Sequence, residues 1–141
     1  MLFFMVQSRS SNLKKSDFEA LSEFRYQMRR FERFSEDAVQ AEGITALQYL
    51  LLLHIKGYPG REWATVGELA VRLQAKPHGV VALISRCEAL RLVTRVPSTT
   101  DRRQIEVHLL PAGERLLARL ATLHRTELAS LNGVFTVPLL P

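Results

Sequence analysis

Residues 64–110 read ATVGELAVRLQAKPHGVVALISRCEALRLVTRVPSTTDRRQIEVHLL, and the fold is decided there. Thr65 and Glu68 have the Thr-x-x-Glu spacing of a capping box, which opens a short helix through Leu69, Ala70 and Leu73. After Gln74-Ala75-Lys76, Pro77 stands in the first turn of a second helix, where its missing N–H is no loss. Two helices joined by so few residues have helix-turn-helix spacing. Beyond them, Val93 to Val96 and Gln104 to Leu110 alternate as paired strands do. The turn between the strands holds Thr99-Thr100-Asp101-Arg102-Arg103. A helix pair feeding a basic hairpin predicts a mostly α fold with a small β-hairpin wing, a winged helix-turn-helix.

Upstream, Ser16 and Glu19 form another capping-box pair and predict the start of a long helix over 16–42. Phe18, Leu21, Phe24, Met28, Phe31, Phe34 and Ala38 recur at gaps of three and four, which keeps one apolar stripe on one face. Arg25, Arg29, Arg30, Arg33 and Glu36 occupy the other face. The stripe is longer than one small domain needs, so Phe18, Leu21, Phe24 and Met28 are expected to pack against a second subunit. Thr45 and Gln48 cap a further helix whose Leu47, Leu50, Leu51, Leu52, Leu53 and Ile55 mark it as central and buried. Tyr58-Pro59-Gly60-Arg61 is a turn, and Glu62-Trp63-Ala64 is a candidate short strand. Pro111 begins a last helix through Leu116, Leu117, Leu120, Leu123 and Leu128, and Asn132-Gly133 stops it. Leu120 and Leu123 join the set expected at the dimer face.

The chain has 141 residues, a net charge of +5 and a pI near 9.9, with 47% hydrophobic and 23% charged residues. That balance is globular, and the basic excess suits a polyanionic partner. A single cysteine, Cys87, allows no intrachain disulfide and points to a reducing, cytoplasmic setting. Met1 to Val6 is apolar but short, without a basic region or cleavage site, so no signal peptide is expected. No run approaches the ~18 apolar residues of a membrane span. His54, His78, His108 and His124 lack metal-ligand spacing, and no phosphate loop or nucleophile elbow occurs, so neither a metal nor an enzyme is predicted.

On the second helix of the pair, Val80, Leu83, Ile84, Cys87 and Leu90 share one face, and His78, Ala82, Ser85 and Ala89 the other, with Val81 and Arg86 flanking. The first group faces the core, with Cys87 as filler. The second is small enough to approach a major groove closely but offers few bidentate base readers beyond His78 and Arg86. Arg95, Arg102 and Arg103 bracket the hairpin tip, where guanidinium groups follow phosphates or enter a minor groove. Asp101 is expected to hold a neighbouring arginine by a charge-assisted hydrogen bond. Trp63 and Tyr58 are candidates both for packing and for lining a ligand cavity.

Lys76 to Arg95, KPHGVVALISRCEALRLVTR, resembles the recognition helix and first wing strand of MarR-family transcription regulators. Asp101-Arg102-Arg103 followed by Val107-His108-Leu109-Leu110-Pro111-Ala112-Gly113 resembles that family's wing and its junction with the next helix. The likeness covers roughly residues 17–130. It implies a homodimeric winged-helix protein with long terminal dimerisation helices, usually a repressor, that binds pseudo-palindromic double-stranded DNA and often releases it on binding a small, commonly aromatic, ligand. By the same resemblance Lys76, His78, Gly79, Ala82, Ser85 and Arg86 serve the major groove. Arg95, Thr99, Thr100, Asp101, Arg102 and Arg103 form the wing, with Arg103 in the minor groove. Gly79 and Ala82 stand where many members carry polar side chains, and Pro138 and Pro141 exclude a long helix where the family pattern has a second dimerising one. The segments expected are a flexible arm (1–15), a dimerisation helix (16–42), the DNA-binding lobe (44–110), and a C-terminal helix with a non-helical tail (111–141). The rival reading is a winged-helix protein-interaction module with weak or no DNA binding.

Overall fold

The structure is a computed structural model that describes residues 12–133 and 135–141. Most of the expected N-terminal arm, residues 1–11, lies outside the described residues. The elements in chain order are α1 (Lys15–Ala41), α2 (Ala46–Lys56), β1 (Trp63–Thr65), α3 (Val66–Leu73), α4 (Pro77–Ala89), β2 (Val93–Pro97), β3 (Ile105–Leu109) and α5 (Pro111–Ser130). No described helix is long and apolar enough to cross a membrane.

Two capping boxes form as the sequence predicts. The Thr45 hydroxyl accepts from the Gln48 N–H at 3.2 Å and the Gln48 side chain returns to the Thr45 N–H at 2.9 Å. Thr65 and Glu68 make the same reciprocal pair. The start expected at Ser16 and Glu19 is displaced. Asp17 accepts from the Lys14 backbone N–H at 2.8 Å, so Lys14 becomes the N-cap and Ser16 lies inside α1.

Three helices end in the same way. Gly43 (φ +79°) follows α1, with hydrogen bonds from its own N–H to the Gln40 carbonyl and from Ile44 N–H to the Val39 carbonyl. This is a Schellman closure, and the buried Val39 and Ile44 supply its apolar clasp. Gln74 repeats it after α3 at φ 52°, and Arg91 repeats it after α4 at φ 61°. The sharp reversals on either side of α4 therefore rest on left-handed residues that are not glycine.

β1, β3 and β2 form an antiparallel sheet in that order, with Ala64 and Arg95 both opposite Val107. The core is built around Leu51, Leu52 and Ile55 of α2, closed by Leu69, Val80, Ile84, Cys87, Val93, Val107 and Leu120. α2 is less uniformly buried than its composition suggests, because Leu47 and Leu53 face outward. His124 of α5 is buried where α1, α2 and α5 meet. It stacks on Tyr49 (4.8 Å between ring centres) and bonds the Ser35 hydroxyl at 2.8 Å.

The dimerisation set divides. Phe18 and Leu123 are exposed, whereas Leu21, Phe24 and Met28 are half-buried. Phe24 stacks on Phe135 at 5.2 Å. Leu120 does not belong with them: it has no exposed surface and sits in the chain's own core. Residues 135–141 carry no helix, in keeping with Pro138 and Pro141.

Candidate nucleic-acid interface

α3 and α4 are joined by Gln74, Ala75 and Lys76, and Pro77 occupies the first turn of α4 as expected. The buried side of α4 is Val80, Leu83, Ile84 and Cys87. His78, Gly79, Val81, Ala82, Ser85, Arg86 and Ala89 are exposed, together with Lys76 at the N-cap. Among the described residues no atom outside the helix's own surroundings lies within 4 Å of where a Gly79 side chain would begin, so another backbone could approach closely there. Leu90 departs from its expected core position: as the C-cap it has left the helical spiral and is half exposed.

The hairpin tip, residues 98–104, is a built turn. The Ser98 hydroxyl is buried and accepts from the N–H groups of Thr100 (3.3 Å) and Asp101 (3.2 Å). Gln104 closes the base through backbone bonds to Ser98 and Asp101. Asp101 differs from its expected role. Its Oδ1 accepts from the Arg103 backbone N–H at 3.0 Å, an Asx turn that shapes the main chain and does not engage the guanidinium. Thr99, Thr100, Asp101, Arg102 and Arg103 are all exposed. Among the described residues no carboxylate lies within ion-pair distance of Arg102 or Arg103.

Arg95 and Ser85 sit elsewhere than expected. The Arg95 guanidinium bonds Glu88, the Val81 carbonyl and the Ser85 hydroxyl, so both side chains are engaged within the protein. Glu88 is a site residue that the sequence signals only by its place on the same helical stripe as Val81 and Ser85.

Tyr58 and Trp63 grip an arginine rather than opening a pocket between them. The Arg61 guanidinium stacks 3.8 Å from the Trp63 ring centre and 4.4 Å from that of Tyr58, and it pairs with Glu68. Burial alone would raise the Glu68 carboxyl. Hydrogen bonds from Tyr58 and the Thr65 N–H, with the Arg61 charge, bring it down to about 2. The open cleft beside this cluster is lined by Tyr58, Thr65, Gly67, Glu68, Val71 and Arg72, without Trp63. Burial pushes the Cys87 thiol up to about 11, the behaviour of a packing group and not of a reactive thiolate.

Residues 42–104 match the MarR family model. The winged-helix module belongs to that family. Among relatives, the provisionally named transcriptional regulatory protein for the hcr operon of Thauera aromatica is 31% identical over 96 residues, 68% of this chain and 56% of that protein. The HTH-type transcriptional repressor MdtR of Bacillus subtilis is 30% identical over 78 residues, 55% of this chain and 48% of its own length. The chain thus spans about half the length of the curated relatives it matches. Among solved structures, AbsC of Streptomyces coelicolor, a MarR family regulator, superposes with a TM-score of 0.72 at 22% identity, covering 92% of this chain and 86% of that one. A MepR variant of S. aureus bound to an oligodeoxyribonucleotide gives 0.65 at 19% identity, covering 78% and 79%. At these identities the likeness establishes the MarR winged-helix fold.

Proposed function

We propose that this MarR-family chain is a homodimeric transcriptional repressor that binds pseudo-palindromic double-stranded DNA and releases it when a small effector binds. The observation that carries the DNA-binding part is the wing tip: Arg102 and Arg103 are exposed on a turn hydrogen-bonded by Ser98 and Asp101, in the hairpin whose Arg95 is bonded to α4. Lys76, His78 and Arg86 are the donors that this face offers to a major groove. The wing arginines reach phosphates or the negative potential of a minor groove. The net charge of +5 acts in the same direction. DNA-binding and repressor descriptions of relatives and structural neighbours support this reading.

The dimer is assigned to the exposed and half-buried apolar residues of α1, namely Phe18, Leu21, Phe24 and Met28, with Leu123 of α5. In such a dimer the two α4 helices enter successive major grooves about one helical turn (~34 Å) apart. Residues 44–110 are the DNA-binding lobe, and α1 and α5 bring the two copies together.

Duplexes selected by the chain from a random-sequence pool test the function. A recovered two-fold consensus is expected, and Arg103→Ala should lower both the affinity and the salt slope, the latter by ~0.9 for one phosphate contact. No duplex bound even at low salt would sink the proposal. It would favour a protein-interaction module instead, a reading supported by the engagement of Ser85 and Arg95 within the protein, which leaves α4 with few polar readers. Sedimentation at micromolar concentration tests the dimer, which a monomer with and without DNA would refute.

A further inference from the structure

We infer that Arg95 is a positioning residue, the brace that locks the recognition helix α4 to the wing strand β2 and so sets the angle between the two elements that meet DNA. The inference deepens the DNA-binding reading above and rests on it.

Val93, Arg95 and Pro97 share one face of β2, because side chains alternate along a strand. Val93 is buried, and two residues on Arg95 passes back over α4. Its Nη2 donates to the Val81 carbonyl at 3.1 Å and to the Ser85 hydroxyl at 2.9 Å. Its Nη1 donates to Glu88 Oε1 at 2.8 Å, and its backbone N–H donates to Glu88 Oε2 at 3.1 Å. Val81, Ser85 and Glu88 stand at i, i+4 and i+7, a single stripe along two turns of α4. One planar group therefore holds the helix at three successive levels, which resists both sliding along the strand and rotation about the helix axis.

The Glu88 carboxylate uses both oxygens on the same residue, one for the strand backbone and one for the guanidinium. Only a quarter of the Arg95 side chain is exposed. A lysine offers a point charge and cannot reproduce this fork. With its donors turned inward, Arg95 is not a phosphate ligand. That task falls to Arg102 and Arg103, while Arg95 keeps the tip that carries them in register with α4.

The test compares Arg95→Met, Arg95→Lys, Glu88→Gln and Arg103→Ala in the full chain. Each is titrated with the duplex that the wild type selects from a random pool and with a scrambled duplex, over a series of salt concentrations. Arg95→Met should weaken binding of the selected duplex by about tenfold or more, the scale of one lost base contact. Its affinity for the scrambled duplex and its salt slope should stay at wild-type values, since no phosphate contact is lost. Arg95→Lys should not restore selectivity. Glu88→Gln should act in the same direction as Arg95→Met, and the double variant should cost no more than the worse single one. A salt slope lower by ~0.9, as for Arg103→Ala, would make Arg95 a phosphate ligand and overturn the brace. Equal weakening on both duplexes, or additive single effects, would overturn it as well. If the wild type bound neither duplex, the function proposed above would fail separately. Melting temperatures of the Arg95 and Glu88 variants then decide the brace without DNA, non-additive losses supporting it and additive ones refuting it.

Discussion

Gly113, in the first turn of α5, packs so closely on the start of the wing that no side chain fits. A Cβ built there would lie 2.1 Å from the Leu92 carbonyl oxygen and 3.0 Å from its carbon. Carbon–oxygen contacts relax to ~3.3 Å, so Gly113→Ala demands a movement of about 1 Å. Nothing nearby is free to give. Leu92 is held by its own N–H to the Cys87 carbonyl and by the Leu110 N–H on its oxygen, at 3.0 and 2.9 Å. Overpacking costs ~1–3 kcal/mol, and a clash between two pinned backbones belongs at the upper end. The better helix propensity of alanine offsets ~0.5–1 kcal/mol, leaving a net loss of about 2 kcal/mol. For a chain of this length that is a fall in Tm of roughly 6–8 °C, read by circular dichroism at one fixed protein concentration. Gly79→Ala is the control, because among the described residues nothing beyond its own helix lies within 4 Å of its Cβ position, and it should melt at or slightly above the wild type. A Gly113→Ala protein that melts with the wild type would refute the close packing of α5 on the wing.

Arg91 closes α4 in the left-handed region at φ 61°, so Arg91→Gly should stabilise the fold by about 0.5–1 kcal/mol in urea unfolding; a loss would contradict the Schellman reading. The Glu68 carboxyl, held at about 2 in the fold against an ordinary 4.5, contributes stability above pH ~4.5 that is lost as pH falls toward 2. Urea midpoints at pH 6 and pH 3 should therefore differ less for Glu68→Gln than for the wild type, and equal differences would dismiss the lowered carboxyl that Tyr58, Thr65 and Arg61 hold. Leu120→Ala should cost ~2–5 kcal/mol of folding stability, whereas Leu123→Ala should leave folding nearly untouched and weaken self-association in sedimentation. The reverse pattern would return Leu120 to the dimer face.

Much of this protein is legible in its sequence because the signals are local. Thr45 with Gln48, Thr65 with Glu68, and Pro77 each announce a helix start through bonds closed within one turn. The alternation of Val93 to Val96 and Gln104 to Leu110 fixed a hairpin whose register is then dictated by burying Val93 and Val107. The 3.6-residue period separated the two faces of α4 almost residue for residue, failing only at Leu90, where the helix has already ended.

What the chain alone could not decide were partners distant in sequence. Periodicity shows that Leu120 and Leu123 are both apolar on one helix, but whether the neighbour is the chain's own α2 or a second copy depends on how the helices cross. The crossing buries Leu120 and leaves Leu123 in solvent. Charge alone placed Arg95 and Arg103 in one class. The fold divides them because Arg95 lies on the face of β2 that meets α4, within reach of Val81, Ser85 and Glu88, while Arg103 is exposed in the turn with no carboxylate of the described residues in ion-pair distance. Local pattern therefore determined the winged helix and its basic tip. Tertiary packing decided which arginine is engaged on α4 and which are left exposed at the tip, because an ion pair forms only where the fold brings its two ends together.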